Sequence, residues 1–187
     1  MGAPLITEEP YASSGTVPVY DSDAHIAEPT SVWQEYTDPK FREAVMQCRP
    51  VGKLDSIFIE DSDIGTACAP ACIPNAYGTD VTWDDIVPGS YDPNERLKVM
   101  DDEGLAAALM FPSLHLLSGD IANPEVAAAN ARGYNRWMSD FVSENPDRLF
   151  GVGVTPLQSV DHAVAEIEFC AEAGLTGMTF RPERYNG

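Results

Sequence analysis

The sequence has little positive charge and no long apolar run. Its 187 residues carry 11 lysines and arginines against 30 aspartates and glutamates, a formal net charge of −19 at pH 7. Nucleic acids and anionic membranes attract proteins through basic patches, so this balance argues against both as partners. No stretch approaches the ~20 apolar residues of a membrane span, so we expect no transmembrane helix.

Cysteine is also scarce: the chain has Cys48, Cys68, Cys72 and Cys170. Secreted disulfide-rich domains are smaller and denser in cysteine, so a disulfide framework is not expected. The gap from Cys68 to Cys72 is too long for the usual redox pair, and no second pair has zinc-finger spacing, which favours a loop there. The N-terminus lacks the basic and apolar regions of a secretory signal. These features together predict a cytoplasmic protein with reduced thiols.

The pattern that is present is an alternation of apolar runs and helical segments. Strands are predicted at residues 17–26, 105–112, 149–156 and 176–181. Strands that alternate with helices form parallel sheets with right-handed crossovers, either as an open doubly wound sheet or as a (β/α)8 barrel. No Gly-x-Gly-x-x-Gly motif follows a strand, so dinucleotide binding has no support.

The helical segments carry recognisable start and stop signals. Asp92 and Pro93 predict a helix start with Glu95 as part of a capping box, and Gly104 predicts its end. Asn123 and Pro124 begin a second helix, whose aromatic stripe of Tyr134 and Trp137 indicates core packing. Ser159 begins a third, in which an apolar stripe recurs at helical spacing: Val160, Val164, Ile167 and Ala171.

Two stretches lack this order. Residues 1–15 are predicted to be a flexible arm, and residues 16–187 a partial (β/α) barrel domain. Within that domain, glycines and prolines interrupt residues 48–91, apart from a short strand expected at residues 57–59. A long irregular insertion of this kind is typical of a lid or an interface segment. Residues 29–45 should form a short helix broken at Asp38 and Pro39.

The first strand leads into the most informative residues of the chain, Asp23 and His25. They are separated by one residue, so on an extended backbone their side chains point to the same side. A carboxylate and an imidazole at the carboxyl end of a strand could form half of a divalent-metal site, with Zn²⁺ or Mn²⁺ as the suitable ions. The plain alternative is a polar strand end in which His25 caps the following helix.

The run from Asp21 to Pro29, followed by Trp33 and residues 38–42, resembles the amidohydrolase-related proteins of the aminocarboxymuconate-semialdehyde decarboxylase type. Later stretches agree in order and spacing: residues 110–112, 134–137, 145–151, 174–177, 181–182 and 185–187. This resemblance implies a metal-dependent (β/α)8 barrel, of which the chain would be an incomplete N-terminal half. It implies that Asp23 and His25 are metal ligands, with the remaining ligands beyond residue 187.

Three further residues are candidates at the same site. Glu28 matches the pattern of one branch of the family and is a possible outer-shell residue. Arg181, at the end of the last predicted strand, could bind a substrate carboxylate or could simply pair with one of the many acids. His115 could bind substrate at the same mouth, although a surface loop position is the favoured interpretation. His162 is expected to face solvent.

The resemblance therefore predicts a decarboxylase or hydrolase acting on a small carboxylated or cyclic substrate, in a chain that is truncated and forms a homo-oligomer to hide its exposed strand edges. Two alternatives stay open. One is a non-catalytic remnant or binding module with an incomplete metal site. The other is a flavodoxin-like open sheet with a ligand at its strand ends.

Overall fold

The computed structural model describes residues 17–52, 54–66 and 83–181. Along these residues the strands and helices are, in order, β1 (Val19–His25), α1 (Val32–Tyr36), β2 (Gln47–Val51), β3 (Leu54–Ile59), β4 (Ser62–Thr66), α2 (Pro93–Glu103), β5 (Leu105–Phe111), α3 (Pro124–Ser143), β6 (Leu149–Val154), α4 (Val160–Glu172) and β7 (Gly177–Thr179). Short 3-10 turns lie at Pro39–Phe41, Trp83–Asp85, Pro88–Ser90 and Leu114–Asp120.

The central sheet is parallel, with strand order β1-β5-β6-β7. His25 is in register with Phe111, so the carboxyl ends of β1 and β5 lie side by side. Four parallel strands in sequential order, each joined to the next by a helical crossover, form half of a (β/α)8 barrel. The predicted partial barrel is confirmed.

The predicted helix signals are used as expected. The Asp92 carboxylate accepts hydrogen bonds from the backbone N–H groups of Asn94, at 2.8 Å, and Glu95, at 3.0 Å. Gly104 ends α2 in the left-handed conformation, with φ of 71°, which glycine adopts without steric cost. The predicted break after α1 is also present, since a separate 3-10 turn begins at Pro39.

Helices α3 and α4 pack closely against β6 because two residues of that strand have no side chain. A Cβ atom on Gly151 would lie 2.6 Å from Met138 Cγ of α3, and one on Gly153 would lie 2.8 Å from Cys170 Sγ of α4. Tyr134 of α3 is fully buried and donates its hydroxyl proton to the backbone oxygen of Val152 at 3.1 Å. The predicted aromatic stripe of α3 is therefore a core face.

The predicted inner face of α4 is wrong. Val160 is 78% exposed, and Val164 and Ile167 are also exposed. The buried residues are Ala163, Glu166 and Cys170. The small side chains allow α4 to approach β6 closely, and the buried carboxylate of Glu166 is paired with a cationic side chain. The larger apolar side chains lie on the outer face of the helix.

The first described part of the insertion after β1 is more ordered than its glycines and prolines suggested. Residues 47–52 and 54–66 carry a separate antiparallel sheet with strand order β2-β3-β4, so an irregular segment is wrong for this part. The strand expected at residues 57–59 belongs to β3. The predicted loop at Cys68 and Cys72 and the predicted arm at residues 1–15 lie outside the described residues. Of the helices that the structure describes, none is long and apolar enough to cross a bilayer.

Candidate functional site

Asp23 and His25 lie at the carboxyl end of β1 with their side chains together. The distance from Asp23 Oδ1 to His25 Nε2 is 3.9 Å, and the two side chains are 89% and 44% exposed. The intervening Ala24 is buried at 4% exposure, which is the alternation that a strand with one packed face imposes. The sequence spacing thus brings a carboxylate and an imidazole to the same open edge of the sheet.

The other nitrogen of His25 is held by the end of β5. His25 Nδ1 lies 3.0 Å from the carbonyl oxygen of Pro112 and 3.3 Å from Ser113 Oγ. A carbonyl oxygen only accepts, so Nδ1 carries the proton and the lone pair of a neutral ring is on Nε2. Arg96 of α2 further anchors this position by donating to the His25 backbone oxygen at 2.6 Å.

Glu28 is fully buried three residues beyond His25. Its Oε1 accepts from the backbone N–H groups of Ser113, at 3.1 Å, and His115, at 3.0 Å, and its Oε2 accepts from Leu114 at 2.9 Å. Burial raises the pKa of the Glu28 carboxyl, and these backbone donors oppose that rise because they favour the ionised form.

His115 is buried at 4% exposure, so the surface position favoured from the sequence is wrong. Its Nδ1 lies 3.4 Å from the amide nitrogen of Asn130, and its ring centroid lies 5.3 Å from that of Tyr134. Burial lowers the pKa of His115 to about 3, so the imidazole is neutral at physiological pH. It could contribute a hydrogen bond to a ligand but not a positive charge.

Arg181 and His162 have different surroundings. Arg181 is exposed and lies two residues past the end of β7, at the same edge of the sheet as His25 by topology. His162 is half-buried, and its Nδ1 donates to the Pro124 oxygen at 3.1 Å, so the expected solvent-facing position is only partly correct. It lines an outer cavity of about 340 Å³ between α3, α4 and the turn at Pro39–Phe41, away from the β1 strand end.

The pair of Asp23 and His25 fits one side of a metal site. Two donors bonded to the same Zn²⁺ at about 2.1 Å each can be at most about 4.2 Å apart, and these two lie within that limit. Among the residues that the structure describes, no group of three or more histidines, cysteines, aspartates and glutamates is arranged to hold a metal ion. The described residues therefore offer two donors here and no third.

Sequence reasoning did not identify Ser113 and the Pro112 carbonyl as partners of His25. Both lie more than 85 residues from His25 in sequence. A backbone oxygen leaves no residue-type signal, and a serine after a proline suggests a loop rather than a histidine partner. The only available signal was the predicted side-by-side position of two strand ends in a parallel sheet.

The sequence model described as amidohydrolase matches residues 20–185. The chain belongs to the amidohydrolase family. A 2-amino-3-carboxymuconate-6-semialdehyde decarboxylase of Dictyostelium discoideum is 28% identical over 89 residues, which are 47% of this chain and 24% of that protein. The family assignment suggested by the residues around Asp23 and His25 is confirmed.

The fold is similar to that of a solved amidohydrolase. An amidohydrolase from Mycobacterium avium subsp. paratuberculosis K-10 superposes with a TM-score of 0.74 at 21% identity, over 91% of this chain and 51% of that one. A dihydroxybenzoic acid decarboxylase from Polaromonas sp. JS666, with bound manganese and the inhibitor 2-nitroresorcinol, has a TM-score of 0.49 at 17% identity, over 87% of this chain and 38% of that one. The chain thus spans about half or less of these proteins' lengths.

Proposed function

We propose that this amidohydrolase-family chain carries the first part of a metal-dependent active site, in a decarboxylase or hydrolase that acts on a small carboxylated or cyclic organic substrate. The observation that carries the proposal is the 3.9 Å distance between Asp23 Oδ1 and His25 Nε2 at the carboxyl end of β1. Active sites of (β/α) barrels form at this end of the strands. The decarboxylase name of the Dictyostelium relative supports a carboxylated substrate.

In this proposal Asp23 and His25 are two ligands of a Zn²⁺ or Mn²⁺ ion, and later strands of a complete barrel or a second copy supply the others. Bound there, the ion supplies Lewis-acid chemistry by polarising a carboxyl or carbonyl oxygen of the substrate. The Pro112 carbonyl keeps the proton of His25 on Nδ1, which leaves Nε2 as the ligating nitrogen. Ser113 Oγ lies 3.3 Å from the same Nδ1 and is its second hydrogen-bond partner.

Two other residues are proposed to contact the substrate. Arg181 would pair with its carboxylate, because a guanidinium offers two parallel donors to a planar anion. His115 would act only as a neutral hydrogen-bonding group, since burial lowers its pKa to about 3. This division assigns charge recognition to the exposed arginine and orientation to the buried histidine.

The decisive experiment is metal binding by the purified 187-residue chain. We expect Mn²⁺ or Zn²⁺ binding in calorimetry that is lost in D23N and in H25Q. D61N is the matched control, because it removes one exposed carboxylate in the turn between β3 and β4 without touching β1. Binding that survives both D23N and H25Q would contradict the proposal.

A second candidate is a non-catalytic binding module. It is favoured by one observation, the lack of a third metal-binding side chain near the pair within the described residues. It predicts that the chain binds neither Mn²⁺ nor Zn²⁺ at concentrations that would fill a complete metal site of the amidohydrolase kind. Binding that is lost in D23N and in H25Q but kept in D61N would therefore exclude this second candidate.

We also propose a cytoplasmic homo-oligomer. Within the described residues the outer edges of β1 and β7 carry no strand partner, and apolar side chains near them are exposed: Val17, Val19, Tyr20 and Phe180. Unpaired parallel edges with apolar neighbours favour association with another chain. Light scattering should give a mass above that of the 20.3 kDa monomer, and a monomer at all concentrations would contradict this part.

A further inference from the structure

Glu28 lies three residues after His25 and carries a buried carboxylate that is not one of the two proposed metal ligands. An acid at 0% exposure is expensive, because transferring a charge out of water costs several kcal/mol unless hydrogen bonds replace its hydration. An apolar residue of similar size would avoid that cost but would leave the backbone N–H groups that Glu28 binds without an acceptor. The presence of Glu28 therefore calls for a role in what it holds.

What Glu28 holds is the chain segment immediately after β5. Its two oxygens accept three consecutive backbone N–H groups, those of Ser113, Leu114 and His115, at 2.9–3.1 Å. Three successive N–H groups directed at one carboxylate fix the segment's position and its direction. Because Glu28 follows β1 by three residues, a single side chain ties the ends of two neighbouring strands.

That segment is the one that orients His25. The residue before it, Pro112, accepts from His25 Nδ1 at 3.0 Å, and its first residue, Ser113, places Oγ 3.3 Å from the same nitrogen. A shift of the segment would move both partners of the imidazole at once. Partners of a ligating histidine's second nitrogen set the ring's tautomer and direction, and losing them typically weakens metal binding 10- to 100-fold.

The bonding of Glu28 also differs from that of an ordinary buried ion pair. Its hydrogen bonds come from backbone N–H groups, which favour the ionised form of the carboxyl, rather than from a cationic side chain. A glutamine could not reproduce these contacts. An amide has one acceptor oxygen, and its NH₂ group would face at least one of the three N–H donors.

We propose that Glu28 is the positioning residue of this site: it holds Ser113, Leu114 and His115 so that Pro112 and Ser113 present His25 Nε2 beside Asp23. The inference rests on the proposed metal-binding function and deepens it. Glu28 acts through the segment and does not itself contact the metal or the substrate.

The test compares the wild-type chain with E28Q, and with E166Q as the matched control. Glu166 is also buried, at 4% exposure, but lies between α3 and α4. Two quantities are measured for each folded protein: Mn²⁺ and Zn²⁺ affinity by calorimetry, and the tautomer of His25 by ¹⁵N-resolved NMR of its ring nitrogens. Urea unfolding of each variant reports stability separately.

We expect E28Q to weaken metal binding by 10- to 100-fold and to lose the single Nδ1–H tautomer of His25. E166Q should lower stability while leaving affinity within about twofold and the tautomer unchanged. If E28Q does not fold, E28D is used, because it keeps the charge but shortens the side chain by one methylene; the same two losses are expected at smaller size. A folded E28Q or E28D with wild-type affinity and tautomer would overturn the proposal.

The two proposals fail in different ways. If the wild-type chain binds no metal through Asp23 and His25, the proposed function fails, yet the NMR comparison still tests whether Glu28 sets the His25 tautomer. If the wild type binds metal and E28Q binds it equally well, the function stands and the positioning role falls.

Discussion

Two buried glutamates, Glu28 and Glu166, solve the same problem in different ways. Glu28 is stabilised by three backbone N–H groups at the carboxyl end of the sheet. Glu166 accepts from Arg132 Nε at 2.8 and 3.1 Å and from the Asn135 amide at 2.9 Å, between α3 and α4. The Glu166 carboxylate is thus paired with a guanidinium, whereas the Glu28 carboxyl is held by backbone N–H groups.

The difference separates a network that packs helices from one that lies beside the proposed site. Asn135 also bonds both polar backbone groups of Val154, at 2.8 and 3.1 Å, so the network around Glu166 joins two helices to β6. The network around Glu28 instead joins two strand ends beside an exposed carboxylate and imidazole. Breaking the Glu166 network should therefore affect stability most, and breaking the Glu28 network should affect ligand binding most.

The largest stability effect is expected for R132M. Methionine keeps aliphatic contact with the Phe169 ring, which lies 4.1 Å from the guanidinium carbon, but it leaves the Glu166 carboxylate buried without its countercharge. Losing one partner of a buried pair typically costs 3–5 kcal/mol. Urea denaturation should show a free energy of unfolding lower by about this amount.

R136M is the matched control on the same helix. Arg136 pairs with Asp38 at 2.9 Å, but the two side chains are 36% and 55% exposed. Exposed ion pairs contribute about 0–1 kcal/mol, so R136M should lose no more than about 1 kcal/mol. Equal losses in the two variants would mean that burial does not distinguish the Glu166 pair.

The next effect concerns pH and lies on the Glu28 side of the molecule. The folded-state pKa of His115 is lowered by burial to about 3, below the usual value of about 6.5. Between these values the unfolded chain binds a proton that the folded chain does not, so the stabilising contribution is present above pH 6.5 and is lost as the pH falls. One unit of pH in this window changes it by up to about 1.4 kcal/mol.

The measurement is the difference in unfolding free energy between wild type and H115Q, taken from pH 7 to pH 5. We expect the wild type to lose about 2 kcal/mol more than H115Q over this range, estimated from the titration of one buried histidine. The Glu28 carboxyl accepts a hydrogen bond from the His115 backbone N–H group. Its raised pKa stabilises the folded state as the pH falls, which opposes the effect of His115. H162Q is the control, because His162 is only half-buried. Parallel curves of unfolding free energy against pH for wild type and H115Q would contradict the prediction.

Much of the fold followed from local signals. Asp92, Asn123 and Gly104 mark helix ends through their own backbone chemistry, and the apolar run at residues 105–111 fits a strand buried on both faces. The inner face of α4 did not follow, because Val160, Val164 and Ile167 make the more apolar stripe. Which face packs depends on Gly153 and Cys170, which are distant in sequence and meet only in the folded chain.

The candidate site could be predicted from the sequence only where its residues lie on a single strand. The spacing of Asp23 and His25 predicts that their side chains lie together, and they do. The bonds from His25 to Pro112 and from Glu28 to residues 113–115 span more than 80 residues and use backbone atoms, which any residue type provides. The burial of His115 follows from the same contacts and could not be seen in a histidine three residues after a proline.

The smallest expected change in unfolding free energy tests how burial affects a carboxylate that is held by backbone N–H groups. Asp92 resembles Glu28 in chemistry, because its carboxylate accepts from two backbone N–H groups, but it caps α2 at the half-buried surface. Asparagine is about as good a cap as aspartate, so D92N should change the unfolding free energy by a few tenths of a kcal/mol, and D92A should cost about 1 kcal/mol.

The same carboxylate-to-amide change in E28Q should cost clearly more than in D92N, as measured by urea denaturation under one set of conditions. At Asp92, water can satisfy an N–H group that the amide leaves unpaired. At Glu28, which is fully buried, an N–H group without its acceptor keeps its desolvation penalty of about 1–3 kcal/mol. If D92N and E28Q lower the free energy of unfolding by the same amount, water must reach the backbone N–H groups of residues 113–115 when Glu28 is changed. His25 would then be oriented by its contact with Pro112 alone.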